Sequence, residues 1–100
     1  MTPGPLYVAM VRIVIHDELH DEEHGMFEDV AQALAELRRL ATLPWDEPPN
    51  QAPCTNWRDC GRMYELIEYD EADHPRRELR RTLVLEVSAA GPQWKADIAS

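Results

Sequence analysis

Between Leu6 and His16 the chain alternates with a period of two: Tyr7, Ala9, Val11, Ile13 and Ile15 form one wholly apolar row. Successive side chains of an extended chain point to opposite faces, so this spacing predicts a strand with one face in the core. The other row, Val8, Met10, Arg12, Val14 and His16, is half apolar. That mixture predicts a central strand whose second face, carrying Val8, Met10 and Val14, needs cover of its own.

The period then changes. Phe27, Val30, Leu34, Leu37 and Ala41 recur at steps of three and four, with Met26, Ala33 and Leu40 widening the stripe. This is the pattern of a helix with one buried side, predicted over 22–42, with Asp21 as its N-cap and Pro44 as its stop. Acids lie at its start and Arg38 and Arg39 near its end, the order that the helix dipole favours.

Residues 43–62 carry Pro44, Pro48, Pro49, Pro53, Trp45 and Trp57 and read as a long loop, either pinned by its tryptophans or used for binding. A second strand is predicted from Arg62 to Tyr69. A third runs from Glu78 to Ser88, with Leu83, Leu85 and Val87 on one face, and the short turn between them makes the pair an antiparallel hairpin. Gly91 and Pro92 then break the chain.

The expected architecture is a single α+β domain over 6–92, preceded by a disordered segment at 1–5 and followed by a tail at 93–100 that carries Trp94. Its order is β-α-β-β: a three-stranded sheet with one helix packed on one face. The first two strands are expected to be parallel, joined by a right-handed crossover through the helix. One helix covers one sheet face, so homodimerisation is expected to bury the other.

Composition narrows the function classes. The chain has 100 residues, 19 acids against 10 bases, and a formal net charge of -9. Such a charge repels phosphate backbones, so no direct nucleic-acid binding is expected, and basic protein partners are favoured. No run of about 18 apolar residues exists to span a membrane. No basic-then-apolar leader opens the chain, so the expected location is cytoplasmic, with Cys54 and Cys60 reduced.

The charge is unevenly placed. Seven acids, Asp17, Glu18, Asp21, Glu22, Glu23, Glu28 and Asp29, fall between His16 and Asp29 without a base. Arg76, Arg77, Arg80 and Arg81 crowd the start of the last strand, opposed by Glu78 alone. Either these are solvated faces whose arginines pair across the sheet, or the acidic stretch is a docking surface for a basic partner.

His16, His20 and His24 share the acidic stretch at four-residue steps. On one continuous helix they would line a face able to ligate zinc or nickel. The expected strand-to-helix change between His16 and His24 argues against that geometry, and Asp17 stands where a zinc protease would need Glu. Cys54 and Cys60 are spaced too far apart for a two-residue zinc loop and read as reduced core cysteines. Serine occurs only at Ser88 and Ser100, and four glycines form no phosphate-binding loop, so no catalytic residue, metal or cofactor is predicted.

The expected function is a non-enzymatic protein-binding module, a small acidic inhibitor or adaptor of the kind found in phage and other mobile elements. The predicted docking residues are Asp17, Glu18, Asp21, Glu22, Glu23, Glu28, Asp29 and Trp94, tryptophan being a frequent interface anchor. Two alternatives remain: a small-ligand or metal-binding domain around the three histidines and the loop that carries Cys54 and Cys60, and a small dimeric α+β enzyme with its cleft between the sheet and the long loop.

Overall fold

A computed structural model of the chain describes residues 10–53 and 61–95. It contains five strands and one helix in the order β1 (Val11–Asp17), β2 (Glu22–Phe27), α1 (Val30–Thr42), β3 (Arg62–Asp70), β4 (Arg77–Ser88) and β5 (Gly91–Trp94). The sheet order is β2-β1-β3-β4-β5 with every neighbouring pair antiparallel. The class is α+β, as expected, but the three-stranded β-α-β-β arrangement is not what forms.

Two elements account for the difference. The first is β2, which occupies the acidic segment expected to begin the helix. Gly25 takes φ +136 inside it, a backbone state that glycine tolerates and a helix excludes. Two residues of β2, His24 and Gly25, stand opposite the single Ile15 of β1. This bulge keeps Met26 paired with Val14 and Glu23 with His16. The second is β5. It pairs Trp94 with Leu85 and Pro92 with Val87, so the segment expected as a tail from Gln93 begins inside the sheet.

The extra strand also reverses the chain once more. β1 therefore runs antiparallel to β3, Ile15 opposite Leu66 and Asp17 opposite Tyr64, where a parallel pair was expected. The crossover helix joins β2 to β3, which are parallel to each other with β1 between them.

α1 starts at Val30 and is capped by Asp29, whose carboxylate accepts the Gln32 backbone N–H at 2.8 Å. Asp21 lies in the β1–β2 turn instead. The helix buries Ala33, Leu34, Leu37 and Leu40 against Ile13 and Ile15 of β1, Tyr64 and Leu66 of β3, and Val84, Leu85 and Val87 of β4. Phe27, Val30, Ala41 and Trp45 pack at the rim of this core. Full burial of each Leu or Ile contributes about 1.5–3 kcal/mol relative to exposure, so this interface holds the helix to the sheet.

The opposite sheet face was expected to expose Val14 and to need a second copy. Val14 is instead 0% exposed, and Ile67 beside it 1%; Met10 is exposed, and Val8 lies outside the described residues. Arg76 links the strands on either side of β1. Its guanidinium stacks 3.9 Å from the Tyr69 ring on β3 and ion-pairs with Glu23 on β2.

Candidate functional site

Both ends of the predicted acidic stretch are present, but β2 separates them by its own length. Glu18 and Asp21 lie in the β1–β2 turn, while Glu28 and Asp29 lie at the far end of the strand, next to the start of α1. The acids at the turn end fall into two clusters, one on each sheet face.

On the helix-covered face, Asp17 is fully buried, which corrects its assignment as a docking residue. Its Oδ1 accepts the backbone N–H groups of Leu19 and Met63, each at 3.1 Å. Its Oδ2 lies 2.5 Å from His20 Nδ1 and 3.0 Å from Arg62 Nη1. Arg62 also pairs with Glu22 and donates to the Asn50 carbonyl at 3.0 Å and the Gln51 carbonyl at 2.5 Å. Asn50 is equally buried. Its amide donates to the Leu40 carbonyl at 2.9 Å, near the helix C-terminus, and its Oδ1 accepts the Tyr64 hydroxyl at 2.8 Å. A buried carboxylate and a buried guanidinium persist because each is paired and fully hydrogen-bonded. Together they pin the loop after α1 to the sheet.

His24 borders this cluster, its ring edge-on to Tyr64 at 5.2 Å. Burial, and then the nearby Arg62 charge, lower its pKa below that of an ordinary histidine. Burial raises the Tyr64 hydroxyl pKa well above the usual phenol range.

On the other face, His16 bridges two carboxylates. Nδ1 lies 2.9 Å from Glu65 Oε1 and Nε2 lies 2.7 Å from Asp21 Oδ1. Both partners only accept, so the geometry calls for a proton on each nitrogen, an imidazolium. Burial lowers the His16 pKa, but the hydrogen bonds and charges of Asp21 and Glu65 outweigh it, and the net direction is upward. Glu65 is 1% exposed and pairs also with Arg81, which holds Glu78 at 2.8 Å. Beside them runs an open groove of about 530 Å³ lined by Glu18, Glu65, Arg81, Thr82 and Leu83.

The three histidines thus part company. His16 faces the open side of the sheet, His20 pairs with Asp17, and His24 packs on Tyr64. Among the described residues no group of three or more His, Cys, Asp or Glu side chains is arranged to hold a metal ion; Cys54, Cys60 and Trp57 lie outside them. The cleft expected between sheet and loop is a cavity of about 350 Å³ bounded by residues such as Leu43, Pro44, Trp45, Val87 and Pro92, and none of its described lining residues is titratable.

The arginine patch is occupied by ion pairs: Arg76 with Glu23 and Glu71, Arg77 with Asp70 and Asp73, Arg80 with Glu68, and Arg81 with Glu65 and Glu78. Glu22 and Glu23 are likewise paired. Glu18, Glu28, Asp46 and Glu47 carry no ion pair among the described residues, and Asp29 serves as a helix cap. Trp94 stands on the edge strand β5, 45% exposed.

The sequence pattern gives no role to Arg62 or Asn50, reads Glu65 as hydrated, and marks Arg81 only as part of a basic patch. Glu65 gave one signal, a charge among the apolar residues at the centre of β3; Arg62, at the strand's start, and Asn50, in a proline-rich loop, gave none. No helix among the described residues is long and apolar enough to cross a membrane. The chain matches no family model, and no significant similarity to a curated protein or a solved structure is found.

Proposed function

We propose that this protein is a non-enzymatic binding module that docks a basic protein partner at the sheet end formed by the β1–β2 turn and the loop after α1. The carrying observation is how charge is left over after folding. The arginines of residues 76–81 are tied to carboxylates, whereas Glu18, Asp46 and Glu47 have no cationic partner among the described residues. Arg62 brings their two loops together by joining Glu22 to the Gln51 carbonyl. Leu19, 57% exposed beside Glu18, adds an apolar contact within an acidic rim, the mixture typical of protein interfaces.

Val14 is already covered within one chain, so docking does not call on a second copy. Glu28 and Asp29 sit at the other end of β2 and are outside the proposed surface, as is Trp94.

The test is capture of the partner from the native host, followed by calorimetry with the triple variant E18Q/D46N/E47Q. Loss of three unpaired charges should weaken a basic partner about tenfold, and more at low salt, with the unfolding midpoint unchanged. Equal affinity for variant and parent would refute the proposed surface.

A further inference from the structure

The β1–β2 turn is held by an ion pair that depends on a proton. Asp21, which closes the turn, sits at φ 53, a left-handed backbone state that Asp tolerates better than most residues but still at a cost. Its side chain is 95% exposed, and its ion pair is with His16, whose side chain is 12% exposed. The imidazole is a bridge: one nitrogen faces Asp21 on the turn, the other faces Glu65, buried on β3.

We propose that His16 is a proton-operated latch on this turn, tying Asp21 to the sheet while protonated and releasing it to solvent, and to a basic partner, when the proton leaves. The effect on a partner rests on the docking surface proposed above; the latch itself does not.

The groups around His16 settle the sign. Glu23 stands opposite it on β2 and Glu65 on β3. Asp21 comes from the turn, Arg81 and Glu78 from β4, and His24 from the bulge of β2. Arg81 and Arg76 engage Glu65 and Glu23, which leaves Asp21 as the one carboxylate near His16 without an arginine among the described residues. A neutral imidazole keeps a single N–H and can donate to only one of its two acceptors. Glu65 is buried and cannot replace a lost donor with water, whereas Asp21 is exposed and can, so the neutral ring keeps Glu65 and lets go of Asp21. The folded pKa is raised above that of an ordinary histidine, so the latch closes as pH falls through the folded pKa and opens as pH rises through it.

The experiment is an NMR titration of the full chain from pH 5 to 9, following the His16 ring and the Asp21 carboxyl carbon. The expected result is one shared midpoint, above that of an unperturbed histidine. In Asp21→Asn, an exposed change that spares the core, the His16 midpoint should fall. In His16→Gln the Asp21 carbon should show no transition in that range. An Asp21 carbon that stays flat while His16 titrates, or a His16 midpoint unmoved by Asp21→Asn, would overturn the latch.

A hexalysine peptide then serves as the basic probe. It should bind about threefold tighter one pH unit above the midpoint than one below, and Asp21→Asn should remove that difference. Binding that ignores the midpoint would overturn the link between latch and partner. A complete lack of hexalysine binding would count against the acidic docking surface, with the NMR outcome still deciding the latch.

Discussion

Replacing Arg62 by Met removes a buried guanidinium but keeps most of its aliphatic bulk. In the native protein that group sits 3.0 Å from the fully buried Asp17 carboxylate and donates to the carbonyls of Asn50 and Gln51. After the change Asp17 keeps its two backbone N–H donors and His20, but its principal countercharge is gone. Breaking a buried pair from one side costs about 3–5 kcal/mol, because the surviving charge stays desolvated. In a domain of this size each kcal/mol moves Tm by about 4–8 °C, so a drop of at least about 12 °C is expected. Urea unfolding followed by far-UV circular dichroism at pH 7 measures the loss directly. The double variant R62M/D17N removes both charges and should cost less than the sum of the two single changes, by at least about 1 kcal/mol. A loss below about 1 kcal/mol for R62M, or simple additivity in the cycle, would refute the view that this pair anchors the loop.

Gly61→Ala places a Cβ 2.3 Å from the Val87 carbonyl oxygen, so β3 and β4 must separate at their paired ends; a loss of about 2 kcal/mol or more is expected by the same urea assay, and an unchanged midpoint would contradict the close approach. His24 contributes a pH dependence opposite in sign to that of His16. Its folded pKa is depressed, chiefly by burial, so the unfolded chain takes up the proton first and stability should fall as pH drops below about 6.5. His16 gives no slope in that range, because its contribution is already complete there. Urea midpoints between pH 7 and 5 should therefore decline less steeply in His24→Gln than in the parent, and identical slopes would exclude His24 as the source.

Elements whose apolar residues repeat with a clean period are legible from the chain alone. β1 shows its core row at Val11, Ile13 and Ile15, and α1 shows its stripe at Val30, Leu34, Leu37 and Ala41, all buried or packed at the core rim; Phe27 and Met26, which the same spacing put on the stripe, lie in β2, and Met26 is exposed. The β3–β4 hairpin was legible for the same reason, and so was the strong acidity. β2 was not legible, because a six-residue edge strand of Glu22-Glu23-His24-Gly25-Met26-Phe27 has no two-residue alternation. Its acids near a helical stripe read equally as a first helical turn, and only pairing with β1 decides between them. β5 is four residues long and contains a proline, tolerable because Pro92 lies on an edge strand.

Leu83 shows the same limit within a single strand. Period two puts it with Leu85 and Val87, yet the register shift that leaves Val84 opposite no residue of β3 turns Leu83 to the other face, where it is 44% exposed. The candidate site divides in the same way. Charge totals marked the segment 17–29, but a count cannot tell a buried carboxylate from a hydrated one. Asp17 is consumed by Arg62, which is 45 positions away along the chain, and Glu65 is held between His16 and Arg81. Such pairings are set by strand register and by which face each side chain enters, and these exist only once the sheet has formed.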